Sequence, residues 1–192
     1  MKHIKQLASA ALLLSIAGQS YAQDPSWDFL QFSYENVSDN ENNSDYRPSG
    51  LGIAGASSIN DSGLLYIRYQ RATDEIGEDK FELENLNISA GGRFNVWKQT
   101  DLYGLVGYAN RQLEGVVDRS DDGIVLTLGV RSVLIADLEL GLSGSQINYA
   151  QGAETEFNLS AQYYFAPSFS VGAAYISADT TDTTQVQMSV HF

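Results

Sequence analysis

Apolar and polar residues alternate along almost the whole chain after residue 25. In the segment 157–165, for example, Phe157, Leu159 and Phe165 alternate with polar residues such as Asn158. Successive side chains of a β-strand point to opposite faces, so a period of two predicts strands with one apolar and one polar face. The pattern predicts ten strands, at about residues 26–36, 49–57, 63–71, 81–94, 102–112, 122–133, 138–148, 155–165, 169–177 and 184–192.

The connections between the predicted strands alternate in character, so that a hairpin unit recurs along the chain. Short connections lie near residues 58–62, 95–101, 134–137 and 166–168, and longer or more acidic ones near 37–48, 72–80, 113–121, 149–154 and 178–183. Successive hairpins without a linker predict one all-β domain over residues 23–192, an antiparallel up-and-down β-barrel. Eight strands is the alternative if 49–57 and 184–192 are not strands.

The first 22 residues predict a cleaved signal peptide. Lys2 and Lys5 precede an apolar run from Leu7 to Gly18, and Ser20–Ala22 fits the rule of small residues around a cleavage site. The run is too short to span a membrane as a mature helix. We therefore expect export through the translocon and cleavage after Ala22. Loss of two lysines from 11 basic residues leaves 9 against 24 acidic ones, a net charge of −15.

The distribution of aromatic residues separates a soluble barrel from a membrane barrel. A soluble barrel turns its apolar face inward, whereas a membrane barrel turns it outward to lipid. Along the apolar face, tyrosines lie near the longer connections and phenylalanines near the opposite strand ends, which is typical of the aromatic belts at the two membrane–water interfaces. The belt residues are Tyr34, Tyr69, Tyr108 and Tyr175 at one level, and Phe94, Phe165, Phe169 and Phe192 at the other. An even number of strands then places both termini on the periplasmic side.

The chain ends on an amphipathic strand whose apolar face includes Met188, Val190 and the terminal Phe192. This ending resembles the C-terminal signal that the barrel assembly machinery of Gram-negative bacteria recognises. The whole mature chain resembles the small outer-membrane β-barrels of these bacteria. The runs SSIND (57–61), LNISAG (86–91), TDLY (100–103) and GVRS (129–132) further resemble an outer-membrane family first described in xanthomonads as activators of innate immunity. The resemblance implies a porin-like barrel in the cell outer membrane, in contact with its lipid and lipopolysaccharide.

The amino-acid composition excludes several classes of function. The acidic chain, with a net charge of −13 before processing, is unsuited to binding nucleic-acid phosphates, and without cysteine it has no disulfide or thiolate site. Outer-membrane barrel enzymes generally rely on histidine. Here His3 leaves with the signal peptide, and we expect His191 to be a solvated residue of the lumen near the periplasmic end. We therefore predict no enzymatic activity and no cofactor.

More than half of the acidic residues fall in the longer connections, which we expect to face outside. Residues 38–45 carry an oxygen ligand at every position, which would suit weakly bound Ca²⁺ or Mg²⁺. They lack the spacing and the glycine of a calcium-binding loop, so a solvated acidic loop is the preferred interpretation.

The polar face of the strands predicts an interior with charged and aromatic side chains. These predicted lumen residues are Tyr66, Arg68, Arg93, Tyr103, Arg111, Arg131, Glu139 and Tyr164. They would suit either a water-filled passage or a lumen plugged by arginine–carboxylate and tyrosine networks. A small barrel tends to fill its interior with side chains, which favours the plug.

One lumen pair follows from the turn near Ile135. Mirror pairing about this residue sets Arg131 opposite Glu139, close enough for an ion pair. The same register sets Val130 opposite Leu140 and Leu128 opposite Leu142 on the lipid face.

Three functions fit these observations. The leading one is a structural or surface-interaction barrel that acts through acidic extracellular loops. The second is a narrow porin-like channel for ions or small polar solutes. The third, an outer-membrane enzyme, is disfavoured by the scarcity of histidine.

Phe192 provides a test of the assembly signal. Deletion of Phe192, or Phe192→Asp, should lower the amount of protein in the outer membrane at unchanged transcript level, because the assembly machinery would lose part of its recognition element. Quantitative immunoblots of membrane fractions measure the effect. Unaltered insertion of both variants would contradict the prediction.

Overall fold

All ten predicted strands are present in a computed structural model of the protein, which describes residues 24–39, 47–76, 79–115, 119–135 and 137–192. The strands are β1 (Phe29–Asp39), β2 (Ser49–Ser58), β3 (Gly63–Ile76), β4 (Asp79–Trp97), β5 (Thr100–Glu114), β6 (Arg119–Ile135), β7 (Leu138–Tyr149), β8 (Gly152–Ala166), β9 (Phe169–Ala178) and β10 (Thr181–His191). No helix within the described ranges is long and apolar enough to cross a membrane. The predicted signal peptide, residues 1–22, lies outside the described residues, so its cleavage stays a prediction.

The strands form one closed antiparallel barrel in which each strand pairs with its neighbours in sequence. β1 and β10 close it, from Phe29 opposite His191 to Asp39 opposite Thr181. Closure gives every strand two partners, so no row of unpaired backbone groups faces the hydrocarbon. The predicted ten-stranded up-and-down barrel is confirmed, and the eight-stranded alternative is wrong.

Several strands extend beyond their predicted ends, chiefly toward the acidic connections. β4 spans 19 residues, against the predicted 81–94, and β6 begins at Arg119 instead of residue 122. Acidic residues that we assigned to the longer connections therefore lie within strands: Asp39, Asp74, Glu75, Asp79, Glu114, Asp121, Glu154 and Asp182. The apolar alternation marks only the lipid-facing part of a strand, whereas backbone pairing continues into polar residues. Residues 40–46, which include most of the loop considered for cations, lie outside the described residues.

The outward face of the barrel is broadly apolar. Leu51, Ile124 and Leu128 each leave more than 60% of their surface uncovered. Soluble proteins keep such residues in small patches, whereas lipid contact removes this surface from water. The predicted belt residues Tyr34, Tyr108, Tyr175, Phe94, Phe165, Phe169 and Phe192 are exposed on this face, and Tyr69 is partly exposed.

Three of the belt tyrosines form a hydrogen bond with an acidic residue on the following strand. Each hydroxyl donates to the carboxylate: Tyr69 to Glu84 at 2.8 Å, Tyr108 to Asp122, and Tyr175 to Asp182. The rings thus connect the apolar surface with the polar rim of the barrel, as interfacial tyrosines do.

The register between β6 and β7 differs from the prediction by two residues. Arg131 lies opposite Gly141, Val130 opposite Leu142 and Leu128 opposite Gly144. A bulge between Val133 and Ile135, followed by Asp137 with a φ of 67°, moves the centre of the turn along the chain. Because the shift is even, every residue keeps its predicted face, but the predicted pairing is wrong.

The closed barrel predicts heat-dependent mobility in gels. Ten strands with fully paired backbones should resist SDS until heated, so the unheated protein should migrate differently from the boiled protein. Gel electrophoresis of a detergent-extracted sample, with and without boiling, measures this. A sample verified as folded by circular dichroism that shows one mobility in both lanes would contradict the barrel.

Candidate functional site

The candidate site is the interior of the barrel, where all eight predicted lumen residues lie partly or fully covered. Strand alternation places them there. On β3, for example, Tyr66 and Arg68 share the face of Leu64, which is 1% exposed. The interior contains a packed group at the periplasmic end, around Arg131, and a more open group in the outer half, around Arg68 and Arg111.

Trp27 fills the centre of the periplasmic end. It precedes β1, yet its side chain lies inside the barrel with only 5% of its surface exposed. The indole N–H donates to Asp101 Oδ2 at 2.7 Å, and the ring meets that of Tyr103 edge-on with 5.0 Å between centroids. Leu64 and Leu105 complete a small apolar cluster around it. The polar lumen thus contains a hydrophobic block near its inner end.

A buried ion pair lies beside the tryptophan. Arg131 Nε donates to Glu139 Oε1 at 2.6 Å, and the side chains are only 12% and 4% exposed. The hydroxyl of Tyr164 donates to the second carboxylate oxygen at 2.7 Å. The Arg131 guanidinium lies over the Trp27 ring, 4.4 Å from its centroid. The predicted pair is therefore present, with Arg131 reaching diagonally to Glu139 across the altered register.

Asp101 anchors a second pair in the same layer. Arg93 Nη1 lies 3.2 Å from Asp101 Oδ2, and the amide of Asn95 donates to Oδ1 at 2.9 Å. Two arginines and two carboxylates therefore balance at the periplasmic end. Mutual pairing with additional hydrogen bonds is what allows charges to be buried in a protein.

His191 completes the periplasmic group. Its Nε2 is 2.8 Å from Ser170 Oγ and 3.3 Å from Gln162 Nε2, and its ring packs against Tyr164. His191 is 4% exposed and Ser170 is fully buried. The expectation of a solvated histidine is therefore wrong, because Tyr164, Gln162 and Ser170 cover it.

The outer half of the lumen carries its own charges. Glu35 accepts hydrogen bonds from Ser33, Gln70 and Gln185. Arg111 Nη1 lies 2.7 Å from Glu154 Oε2, and its guanidinium lies 5.0 Å from the centroid of the Tyr149 ring. Glu154 was assigned to an outer connection, but it points into the lumen from β8.

Cavities of different sizes occupy the space between these groups, and two of them meet at Arg68 and Glu156. The inner one, of about 150 Å³, extends from Trp27 to Arg68 and Glu156. The outer one, of about 210 Å³, extends from Arg68 and Glu156 to Thr180, in the turn between β9 and β10. Since about 10–15 Å³ suffices for one water molecule, both have room for several waters or a small solute.

Three contributors to this interior were not predicted from the sequence. Trp27 precedes β1, and it shares the inward, odd-numbered face of that strand with Glu35. Asp101 was assigned to the short connection 95–101. Applying the two-residue alternation to every residue of the predicted strand 26–36, and extending it by one residue before the predicted strand 102–112, would have found all three.

Comparisons with known proteins agree with this architecture. The model of the outer membrane protein beta-barrel domain family matches residues 8–191. The translocator domain of the autotransporter NalP from Neisseria meningitidis is similar with a TM-score of 0.51 at 11% identity, over 100% of this chain and 97% of that one. The KdgM porin in complex with oligogalacturonate gives 0.50 at 10% identity, over 84% and 99%. Ail of Yersinia pestis gives 0.47 at 12% identity, over 85% and 95%.

At these identities the structural similarities concern the fold alone, and no curated protein matches the sequence. The narrower xanthomonad resemblance stays a prediction. The family model covers nearly the entire chain, and the closed barrel with its apolar outer face has the architecture that the model describes. The chain therefore belongs to the outer membrane protein beta-barrel domain family, and its location is the outer membrane.

Proposed function

We propose that this barrel does not conduct solutes and acts as a structural and surface-interaction protein through its outer end. The observation that carries the proposal is the packing of Trp27, Arg131 and Glu139 across the periplasmic end of the lumen. A conducting pore needs a continuous water path, and this layer leaves the lumen with a closed inner end.

The free-energy cost of breaking these contacts supports an inner end that stays closed. Arg131 and Glu139 are almost completely covered, so removal of one partner would strand a buried charge at a cost of about 3–5 kcal/mol. Trp27 is held by its hydrogen bond to Asp101 as well as by Arg131. Opening the lumen would have to break these contacts together.

The outer end supplies the surface for interactions. Glu114, Asp122 and Asp179 are exposed there, which gives the rim an acidic character. We include in the proposal that weakly bound divalent cations link this rim to lipopolysaccharide phosphates. Contact of the apolar face with outer-membrane lipid, and insertion by the barrel assembly machinery after export, belong to the same proposal.

Catalysis is not part of the proposal. Ser170 and His191 form the one serine–histidine contact in the hydrogen bonding of the described residues, and both are buried in the plug. A catalytic nucleophile and its base have to contact the substrate, and the packed residues around Ser170 and His191 leave no room for a substrate to do so.

A narrow channel is the second candidate, and the two cavities favour it. If the periplasmic layer rearranged, they would form most of a water-filled path. Because loosening of the periplasmic layer would open this path, conductance and the free energy of unfolding have to be measured on the same variants.

The test compares the wild-type protein with Glu139→Gln. In planar bilayers the wild type should show no single-channel steps above background. Glu139→Gln should lower the free energy of unfolding by about 3–5 kcal/mol, with little dependence on salt, because Arg131 loses its buried partner. Chemical denaturation in detergent measures this loss.

Glu84→Gln is the matched control. Glu84 faces outward, and the side chain of its partner Arg71 is 53% exposed. The free energy of unfolding of the Glu84→Gln variant should therefore stay close to that of the wild type. Discrete conductance by the wild type would contradict the proposal. So would a Glu139→Gln variant with unchanged stability and raised conductance, since that result indicates a wet, open lumen.

A further inference from the structure

Arg68 and Glu156 differ from the other charged groups of the lumen. Arg93, Arg111 and Arg131 each pair with a carboxylate at 3.2 Å or less. Within the described part of the chain, Arg68 and Glu156 form neither an ion pair nor a side-chain hydrogen bond, with each other or with a third residue.

The two side chains lie where the cavities adjoin. Both contribute to the walls of the inner and the outer cavity, Arg68 from β3 and Glu156 from β8. The barrel therefore holds a cation and a carboxylate at one level of the lumen, each lining the cavities without a hydrogen-bonded or ion-paired protein partner. Covered charges without partners are costly unless water or a ligand satisfies them.

Neighbouring amide side chains can also form hydrogen bonds to a bound molecule. Asn158 lines the inner cavity, and its side-chain oxygen is buried without a hydrogen-bond partner. Asn87 also borders this cavity, and Asn85 borders the outer one. Amides of this kind accept and donate hydrogen bonds, so they can orient a small polar molecule.

The outer cavity adds an apolar wall. Val37, Leu83, Leu113 and Ile176 line it, and Val37 and Ile176 are buried. A molecule seated between Arg68 and Glu156 would find room beside these residues for a short aliphatic group.

We propose that this level of the lumen binds a small zwitterion, of the class of free aliphatic amino acids, with its carboxylate at Arg68 and its ammonium group at Glu156. A monoanion would satisfy Arg68 but face the uncompensated carboxylate of Glu156. A monocation would satisfy Glu156 but face Arg68. Only a ligand with both charges pairs both groups, which is the basis of selectivity at a site with two partly covered charges.

Access to the site is from outside. The outer cavity reaches the turn between β9 and β10, whereas the plug closes the inner end. This direction of entry rests on the proposed non-conducting barrel, but the binding itself does not. A wild-type protein that conducts and still binds the zwitterion would overturn the proposed function and leave the site intact.

The experiment uses L-leucine and its two half-analogues. These are 4-methylpentanoate, which lacks the ammonium group, and 3-methylbutylamine, which lacks the carboxylate. Isothermal titration of the folded barrel in detergent should detect L-leucine at up to about 10 mM, a range in which millimolar affinity registers. Both half-analogues should bind at least about tenfold more weakly, because each leaves one partly covered charge unpaired.

Variants identify the two charges. Arg68→Gln and Glu156→Gln should each weaken L-leucine binding about tenfold or more. Glu156→Gln should bind 4-methylpentanoate more tightly than the wild type does, a gain that loss of structure cannot produce. Arg71→Gln, on the outward face of the same strand, should bind L-leucine as the wild type does.

Heat-dependent gel mobility verifies that each variant is folded before titration. The inference is overturned if folded wild-type protein does not bind L-leucine over this range. It is also overturned if 4-methylpentanoate binds as tightly as L-leucine, or if neither Arg68→Gln nor Glu156→Gln changes the affinity.

Discussion

A strand that crosses lipid has to pair every backbone N–H and C=O group with another strand, since hydrocarbon offers no alternative partner. This constraint explains why β1 returns to β10 and why pairing continues along both strands to their ends. It also explains the distribution of side chains. Alternation turns one set outward to lipid and the other into a narrow interior, where polar groups have to find partners in one another or in water.

The interior meets this requirement in two ways. At the periplasmic end, the arginine–carboxylate pairs receive hydrogen bonds from Trp27, Asn95 and Tyr164, so the charges of the two pairs are balanced and largely covered. In the outer half, Arg68 and Glu156 line the cavities without forming an ion pair. A lumen packed at its inner end and hollow in its outer half is consistent with the role at the cell surface that we propose. The same asymmetry supplies the pocket that we assign to a zwitterion.

Sequence patterns predicted the number and faces of the strands because the two-residue period follows directly from strand geometry. They did not predict the strand ends, since Asp121 or Glu154 continues a strand without continuing the apolar alternation. They also missed the β6–β7 register, because the bulge and the left-handed Asp137 depend on local packing that alternation does not encode. Arg131 and Glu139 still meet, since an even shift preserves faces and both side chains are long. Trp27 was missed because it is an apolar residue on the face of the predicted strand 26–36 that was expected to be polar.

We propose a lumen that is open at its outer end and sealed at its periplasmic end. The chain has no cysteine, so single cysteines can report access directly. Thr183 borders the outer cavity, and Ser189 is buried at 1% exposure near the plug. The most direct measurement is the labelling of folded Thr183→Cys and Ser189→Cys by a charged maleimide. We expect rapid labelling at position 183, and labelling at position 189 only after unfolding. Equal rates at both positions in the folded barrel would contradict a sealed periplasmic end.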